Sequence, residues 1–446
     1  MPEEDLPERL LKALENKDFD SVREQLRGLH PSEIADLLES QPARARGQIW
    51  DLIDRERAGT VLSHARDAVR AGLLEHMPPP QIAAAIRDLD ADDLADILND
   101  LPADTADSVL LCMDLHRRER LAAVLSYPED SAGGLMNLDV VTVRADVSLD
   151  VVTRYLRRRG RLPQQTDSLM VTGRDGRFLG VLHLTDLLTH GPQTRVEKLL
   201  DTETGAAVHA DTPAREVARL FEQRDLLSAA VVDENNVLLG RITVDDVVDV
   251  IQKEAEHTVR SMAGLGEDDL FAPVLHSTRR RAVWLAVNIV TAFIAASVIG
   301  RFADTIQQLV ALAVLMPVVA SMGGVAGNQT LTVTVRGLAL GHVVRSNVRP
   351  LLQKEVAIGM LNGMLWASVV GLIAWMWFGR IMLGVIIAAA MVINLSVGAL
   401  AGAVIPLILK RLGVDPAIAG GMLLMTVTDV VGFLSFLGLA TIFLVN

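Results

Sequence analysis

The chain has 446 residues, too many for one ordinary domain. Its formal charge of −13 is unevenly divided: residues 271–446 hold 11 Lys and Arg against 4 Asp and Glu, which leaves about −20 in residues 1–270. So acidic a front part argues against nucleic acid and for cations as partners, and a single cysteine, Cys112, excludes an intrachain disulfide and a cysteine-based metal cluster.

The opening residues, MPEEDLPERLLKALENKDFD, are acidic and amphipathic. A signal peptide would need a basic start and an apolar core, so the soluble part is expected in the cytoplasm. Apolar positions recur at helical spacing in EDLPERLLKALE, SEIADLLES and DDLADILNDL. Pro, Asp or Ser precedes several of these runs, as helix starts prefer. The pattern x-x-[IL]-A-D-[IL]-L at 32–38 returns at 92–98, which predicts a small stack of helical hairpins. Asp92 and Asp96, four apart, share one helix face with Asp93 beside them. Like charges there repel unless solvent or a cation intervenes. A packed scaffold and a cation-binding face both fit this stretch.

Residues 137–200 and 201–256 are two copies of one pattern. VVTVRADVSLDVVTRYL parallels AAVHADTPAREVARLF, and SLMVTGRDGRFLGVLHLTDLL parallels SAAVVDENNVLLGRITVDDVV. Each copy predicts a short strand, a helix, a strand, an Asp-Gly or Asn-Asn turn, a further strand and a final helix. The copies resemble a tandem pair of CBS domains. That resemblance implies adenine-nucleotide binding through Gly-x-x-[Thr/Ser]-x-x-Asp. The second copy keeps this motif as Gly240, Thr243 and Asp246, whereas the first pairs Gly180 and Asp186 with His183 in place of the hydroxyl. Thr243 as a helix cap and Asp246 as a first-turn acid explain the same residues without a nucleotide. The last helix runs on as TVDDVVDVIQKEAEHTVRSM to about Ala263 and Gly264, with Asp245, Asp249, Gln252 and Glu256 in one stripe. Such a stripe is either a solvated face or, lying between the repeat and the membrane, a functional one.

Five membrane spans are predicted: about 282–300, 307–335 (interrupted by SMGGVAGNQ), 356–378, 382–409 and 418–445. Arg279–Arg281, then Arg336, Arg345, Arg349 and Lys354, then Lys410 and Arg411 all fall on one side. The positive-inside rule puts that side and the N-terminus in the cytoplasm, and Asn446 outside. Asp429, in GMLLMTVTDVVGFLSFLGLATIFLV, is the one acid expected inside a span. A carboxylate there costs roughly 2.5–3.5 kcal/mol on insertion scales, so it is expected to meet a cation.

The full order of parts is distinctive: acidic helices, the junction YPEDSAGGLM, the CBS pair, a connecting helix, P-V-V-A-S-M-G-G-V-A-G-N-Q in the second span, RLGVDP between the last two spans, and TDVVGF in the fifth. Over essentially its whole length the chain resembles the MgtE family of magnesium channels. The resemblance implies a multi-domain fold: an α-helical N-terminal superhelical domain (1–129), α/β tandem CBS domains (130–200 and 201–250), a connecting plug helix and linker (251–275), and a five-helix transmembrane domain (276–446). It also implies a homodimer in the cytoplasmic membrane whose pore admits hydrated Mg²⁺ at Asp429, with Asp415 at the cytoplasmic mouth. Pro317, Gly323, Gly324, Gly327, Asn328, Gln329 and Thr428 would line that pore. Regulatory Mg²⁺ would bind Asp246 with Asp92, Asp93 or Asp96 between the N-terminal and CBS domains, Asp225 and Asp249 between CBS domains, and Glu254 on the plug. Val325 stands where the family motif commonly has Asn, and His257 and Thr258 where some members carry acids.

The physics of the ion agrees. Mg²⁺ prefers oxygen ligands and dehydrates reluctantly, and a pore needs few strong ligands so that the ion can leave. A CBS-regulated carrier of Co²⁺, Ni²⁺ or Mn²⁺ is the alternative. An anion channel would present basic residues where Asp429 lies. A membrane enzyme would show a phosphate loop, His-Glu-x-x-His or paired carboxylates in a span, none of which occurs in the sequence. A regulatory scaffold would have no use for an acid in a span, and no protein partner beyond a second copy is inferred.

Overall fold

The computed structural model describes residues 6–75, 77–202, 207–262, 271 and 274–445. The expected end of the connecting helix near 263–264 and most of its linker lie outside these residues. The chain divides into two compact units, one running to Ala255 and the other beginning at Glu256.

The first unit opens with helices from α1 (Leu6–Glu15) to α10 (Leu115–Leu125). Among them are α3 (Pro31–Glu39), α5 (Arg55–His64), α6 (Asp67–Leu74) and α8 (Ala91–Asn99). α3 starts at Pro31 behind a reciprocal cap, in which His30 accepts from Ser32 N and Glu33 accepts from His30 N at 2.6 Å. The recurring I-A-D-L-L pattern is a packing pattern: Ile34, Ala35, Leu37 and Leu38 of α3 are buried, as are Leu94, Ala95, Ile97 and Leu98 of α8. Its Asp is the position left at the edge, which places Asp96 half-exposed.

Each repeat copy builds a three-stranded sheet. β1 (Thr142–Arg144), α11 (Leu149–Arg159), β2 (Ser168–Thr172), β3 (Phe178–His183) and α12 (Leu184–Thr189) make the first. β4 (Ala207–His209), α13 (Ala214–Arg224), β5 (Ser228–Val232), β6 (Leu238–Thr243) and α14 (Val244–Met262) make the second. In both, the outer strand runs parallel to the central one and the third runs antiparallel. Val171 pairs with Gly180 as Val231 pairs with Gly240, and the same irregularity follows each pair. The turns lie at Gly176 and Asn236, both at positive φ. A buried layer of Met170, Phe178, Val181, Ala230 and Val232 joins the copies. The junction segment packs on the second copy: Asn137 N donates to Arg241 O at 2.8 Å and Arg241 N to Asn137 O at 2.9 Å. A side chain at Gly240 would press on the Asn137 carbonyl at 2.8 Å, so that glycine serves this close approach.

The second unit holds α15 (Val274–Gly300), α16 (Ala303–Gln308), α17 (Ala311–Ala339), α18 (Val348–Phe378), α19 (Ile381–Arg411) and α20 (Pro416–Ala440). Among the described residues five helices are long and apolar enough to cross a membrane. Two expectations are corrected here. The second span is not interrupted at SMGGVAGNQ: α17 is one helix through that stretch. Asp429 is not the only acid in a span, because α18 begins at Val348 and carries Glu355, which is buried. α19 is the centre of the unit, packing against α17, α18 and α20, while α15 exposes Val283, Ile289, Val290 and Phe293 to its surroundings.

Candidate ion pathway and acidic cluster

Three helices cross closely at their glycines. A Cβ on Gly327 of α17 would meet Leu424 Cδ1 at 2.7 Å and the Gly398 carbonyl at 3.0 Å; one on Gly398 of α19 would meet the Gly323 carbonyl at 2.7 Å. Asn394, fully buried on α19, fills the space beside Gly323 of α17 and Gly432 of α20, where any added Cβ would collide with its carboxamide. Its Nδ2 donates to Val319 O at 2.8 Å, and its Oδ1 is a buried acceptor without a partner. Gly323 and Gly327 therefore turn toward α19 and α20, while Pro317, Asn328 and Gln329 lie on the exposed side of α17 and Gly324 is half-buried. Asn394 escaped the sequence reading, although a lone Asn in so apolar a helix was the available signal.

Asp429 sits on α20 one residue beyond Thr428 and is half-buried. Among the described residues no Lys, Arg or His pairs with it. Thr428 is fully buried and its hydroxyl donates to Leu424 O and Met425 O, each at 3.1 Å, so the hydroxyl is spent on its own helix. Asp415 is the N-cap of α20, accepting from Ala417 N at 2.8 Å, with Pro416 next at the first helical position. Its other oxygen lies 3.9 Å from His257 Nδ1.

The acids of the first unit meet in one place. Asp92 and Asp93 on α8 face Asp245 and Asp246 at the start of α14, and Asp96 of the same helix neighbours Lys253 of α14 and Arg70 and Asp67 of α6. Asp92 Oδ1 is buried and accepts no hydrogen bond. Burial, then the charges of Asp246, Asp93 and Asp90, push Asp92 well above the usual carboxylate range. Burial, then Asp90 and Asp96, lifts Asp93 to about 7. Burial, then Asp245, lifts Asp246 to about 7, although Thr243 N and Thr243 Oγ1 both donate to it at 3.1 Å.

Two cations already serve this region. Arg70 is buried and binds Asp100 at 2.5 Å and Asp67 at 2.9 Å. Lys253 of α14 places Nζ 3.6 Å from Asp67. Burial would lower its ammonium, but Asp67 and Asp96 outweigh that and hold it above its ordinary value.

The remaining expected residues stand apart. Asp225 is exposed in the left-handed cap of α13, and Asp249 is exposed on α14. Glu254 pairs with Arg215. Asp186 lies 3.7 Å from His190, and His183 reaches Asp201 at 3.1 Å. Among the described residues no three His, Cys, Asp or Glu side chains converge as a ready metal cage. The oxygen-only donors around Asp92 nevertheless fit hydrated Mg²⁺, which needs only one or two carboxylates and keeps its waters.

With this geometry in view, known proteins supply the frame. Residues 29–130 match the MgtE intracellular N domain, 132–192 and 205–253 the CBS domain, and 316–439 MgtE, described as a divalent cation transporter. The magnesium transporter MgtE of Thermus thermophilus is 32% identical over 449 residues, with 99% of each chain covered. That of Bacillus subtilis is 29% identical over 436 residues, covering 98% of this chain and 96% of the relative. The crystal structure of the cytosolic domain of the Mg²⁺ channel MgtE in complex with ATP is 34% identical, covers 55% of this chain and all of that one, and has a TM-score of 0.50. The chain belongs to the MgtE family of divalent cation transporters.

Proposed function

We propose that the chain is a homodimeric Mg²⁺ channel of the cytoplasmic membrane, with the N-terminus and the acidic domains in the cytoplasm and the C-terminus outside. The observation that carries this reading is Asp429, a half-buried carboxylate in a membrane helix with no cation partner among the described residues. Two such carboxylates related by a two-fold axis give a −2 ring for a divalent ion. They can hold Mg²⁺ through its water shell, so the ion binds without full dehydration and leaves again. Asn328 and Gln329 supply polar side chains on the exposed side of α17. Arg336, Arg345, Arg349, Lys410 and Arg411 on one side support the orientation. The test is Mg²⁺ influx into liposomes with Co²⁺, Ni²⁺ and Mn²⁺ as competitors. Asp429→Ala and Asp429→Asn should abolish influx while the protein still elutes as a folded dimer. Unchanged influx through Asp429→Ala would remove the pore assignment.

An adenine nucleotide is the second ligand, at most one per chain, held by Gly240, Thr243 and Asp246. The Thr243 hydroxyl is already shared between Asp245 and Asp246, so a ribose would replace internal hydrogen bonds. In the first copy His183 and Asp186 are engaged with Asp201 and His190. Calorimetry of the whole protein with ATP, with and without Mg²⁺, should saturate at no more than one per chain. Absence of heat under both conditions would reject the nucleotide.

A further inference from the structure

Glu355 is the second acid inside the membrane helices, and the ion path described above does not use it. Its side chain is 6% exposed, whereas that of the adjacent Lys354, 3.6 Å from Glu355 Oε1, is 65% exposed. Glu355 opens the stripe that α18 buries at four-residue spacing: Glu355, Gly359, Gly363, Ala367 and Gly371. Along the rest of the stripe small residues let α18 lie directly on α19. A Cβ on Gly359 would meet Ala399 Cβ at 2.6 Å, and one on Gly371 the Gly384 carbonyl at 2.8 Å. At the first position a long carboxyl side chain replaces the small one and reaches α17 instead, where Thr330 Oγ1 donates to Glu355 Oε2 at 3.1 Å. α19 leaves room at this level because it has only Gly402 there; a Cβ on Gly402 would press on Thr330 Cβ at 3.0 Å and collide with the Gly327 carbonyl.

A buried carboxyl is costly unless hydrogen-bonded, and ionisable groups inside membrane helices are retained for function. Thr330 is fully engaged: it donates to Glu355, and its carbonyl accepts from Thr334 Oγ1 at 2.8 Å. It also follows Asn328 and Gln329 directly and is buried where they are exposed. A helical turn rotates as one body, so a fixed Thr330 fixes where both side chains leave the helix.

We propose that Glu355 is a positioning residue for ion discrimination. Its carboxyl holds Thr330, and through it the rotation of α17, so that Asn328 and Gln329 meet the passing ion at a set angle. This rests on the pore reading above. The test measures Mg²⁺ and Co²⁺ influx in liposomes for Thr330→Val, Glu355→Leu, Glu355→Gln and the double variant Thr330→Val/Glu355→Leu, all with Asp429 intact. Loss of one hydrogen bond should lower the Mg²⁺-to-Co²⁺ influx ratio about five-fold in Thr330→Val and in Glu355→Leu. The double variant should fall no further, since both changes break one contact. Glu355→Gln keeps an accepting oxygen and should stay within about two-fold of wild type. A wild-type ratio in Thr330→Val, whatever its melting temperature, would reduce the pair to a structural contact and overturn the proposal. So would Glu355→Gln falling as far as Glu355→Leu, since the charge and not the hydrogen bond would then matter. Failure of the pore reading shows separately, as retained influx in Asp429→Ala.

Discussion

Asp93 and Asp246 both titrate at about 7 in the folded chain, against 3.8 for a free carboxyl, because burial and neighbouring acids disfavour their charged forms. The folded state therefore holds protons that the unfolded chain has released. Between about pH 4 and 7 the native state binds more protons, so stability falls as pH rises through that window. Without divalent cations, the melting temperature should drop between about pH 4 and 7, and Asp93→Asn and Asp246→Asn should each flatten that drop. Mg²⁺ displaces the same protons, so its apparent affinity should rise with pH, by up to about ten-fold per unit for each proton released. A melting temperature that is independent of pH in EDTA would reject the shared-acid reading. Lys253 limits the effect, because its ammonium beside Asp67 supplies one permanent cation to the cluster. In the sequence Lys253 stands only between Gln252 and Glu254. Its partner lies on α6, far away in the chain, and no helical spacing connects them.

At the scale of elements, what repeats locally was legible and what depends on a distant partner was not. The I-A-D-L-L pattern marked α3 and α8 because the same four positions face a core in both. The repeat around Gly180 and Gly240 marked two sheets because strand pairing and turn chemistry are written within each copy. The glycines of α17 pointed rightly to close helix contact and misled only in suggesting a break. An isolated helix loses roughly 1 kcal/mol for each glycine in its interior, so three within five positions read as a break. In the folded unit those glycines are where α19 and α20 come closest, and close packing of small residues is what holds helices together in a membrane. The start of α18 misled for a related reason. Lys354 and Glu355 look like the end of a loop to any window of hydropathy, yet Glu355 is buried against Thr330, a partner on another helix. Asp429 was legible from the same kind of window, because no basic residue stands near it in the chain to pull it out of the span.

At the scale of the whole molecule, we propose that charge separation underlies closure by cytosolic Mg²⁺. An acidic front part of about −20 precedes a basic membrane part, and the front part gathers its carboxylates around Asp92 and Asp246 where they repel. Cations that bind there favour the compact arrangement over any state in which those acids separate. One site at ten times its dissociation constant shifts such a balance by only about 1.4 kcal/mol. Moving a channel from 1:99 to 99:1 takes about 5.5 kcal/mol, so roughly four sites must act together. On the proposed reading Asp92, Asp93, Asp96 and Asp246 would provide the region for some of them, and Asp225 and Asp249 are both exposed. The last turns of α14 offer fewer ligands, since His257 and Thr258 occupy positions where acids would add sites, and His257 instead lies 3.9 Å from Asp415. Closure by Mg²⁺ should therefore be graded and incomplete. The measurement is a Mg²⁺ titration of the whole protein, following protease resistance of the soluble part and channel activity together, for wild type and Asp225→Asn/Asp249→Asn. Wild type should become resistant and lose activity over the same millimolar range, and the double variant should need more Mg²⁺ for both. If the wild type neither gains resistance nor closes at millimolar Mg²⁺, the acids are not a sensor, and Asp429 can still be tested as the pore acid on its own.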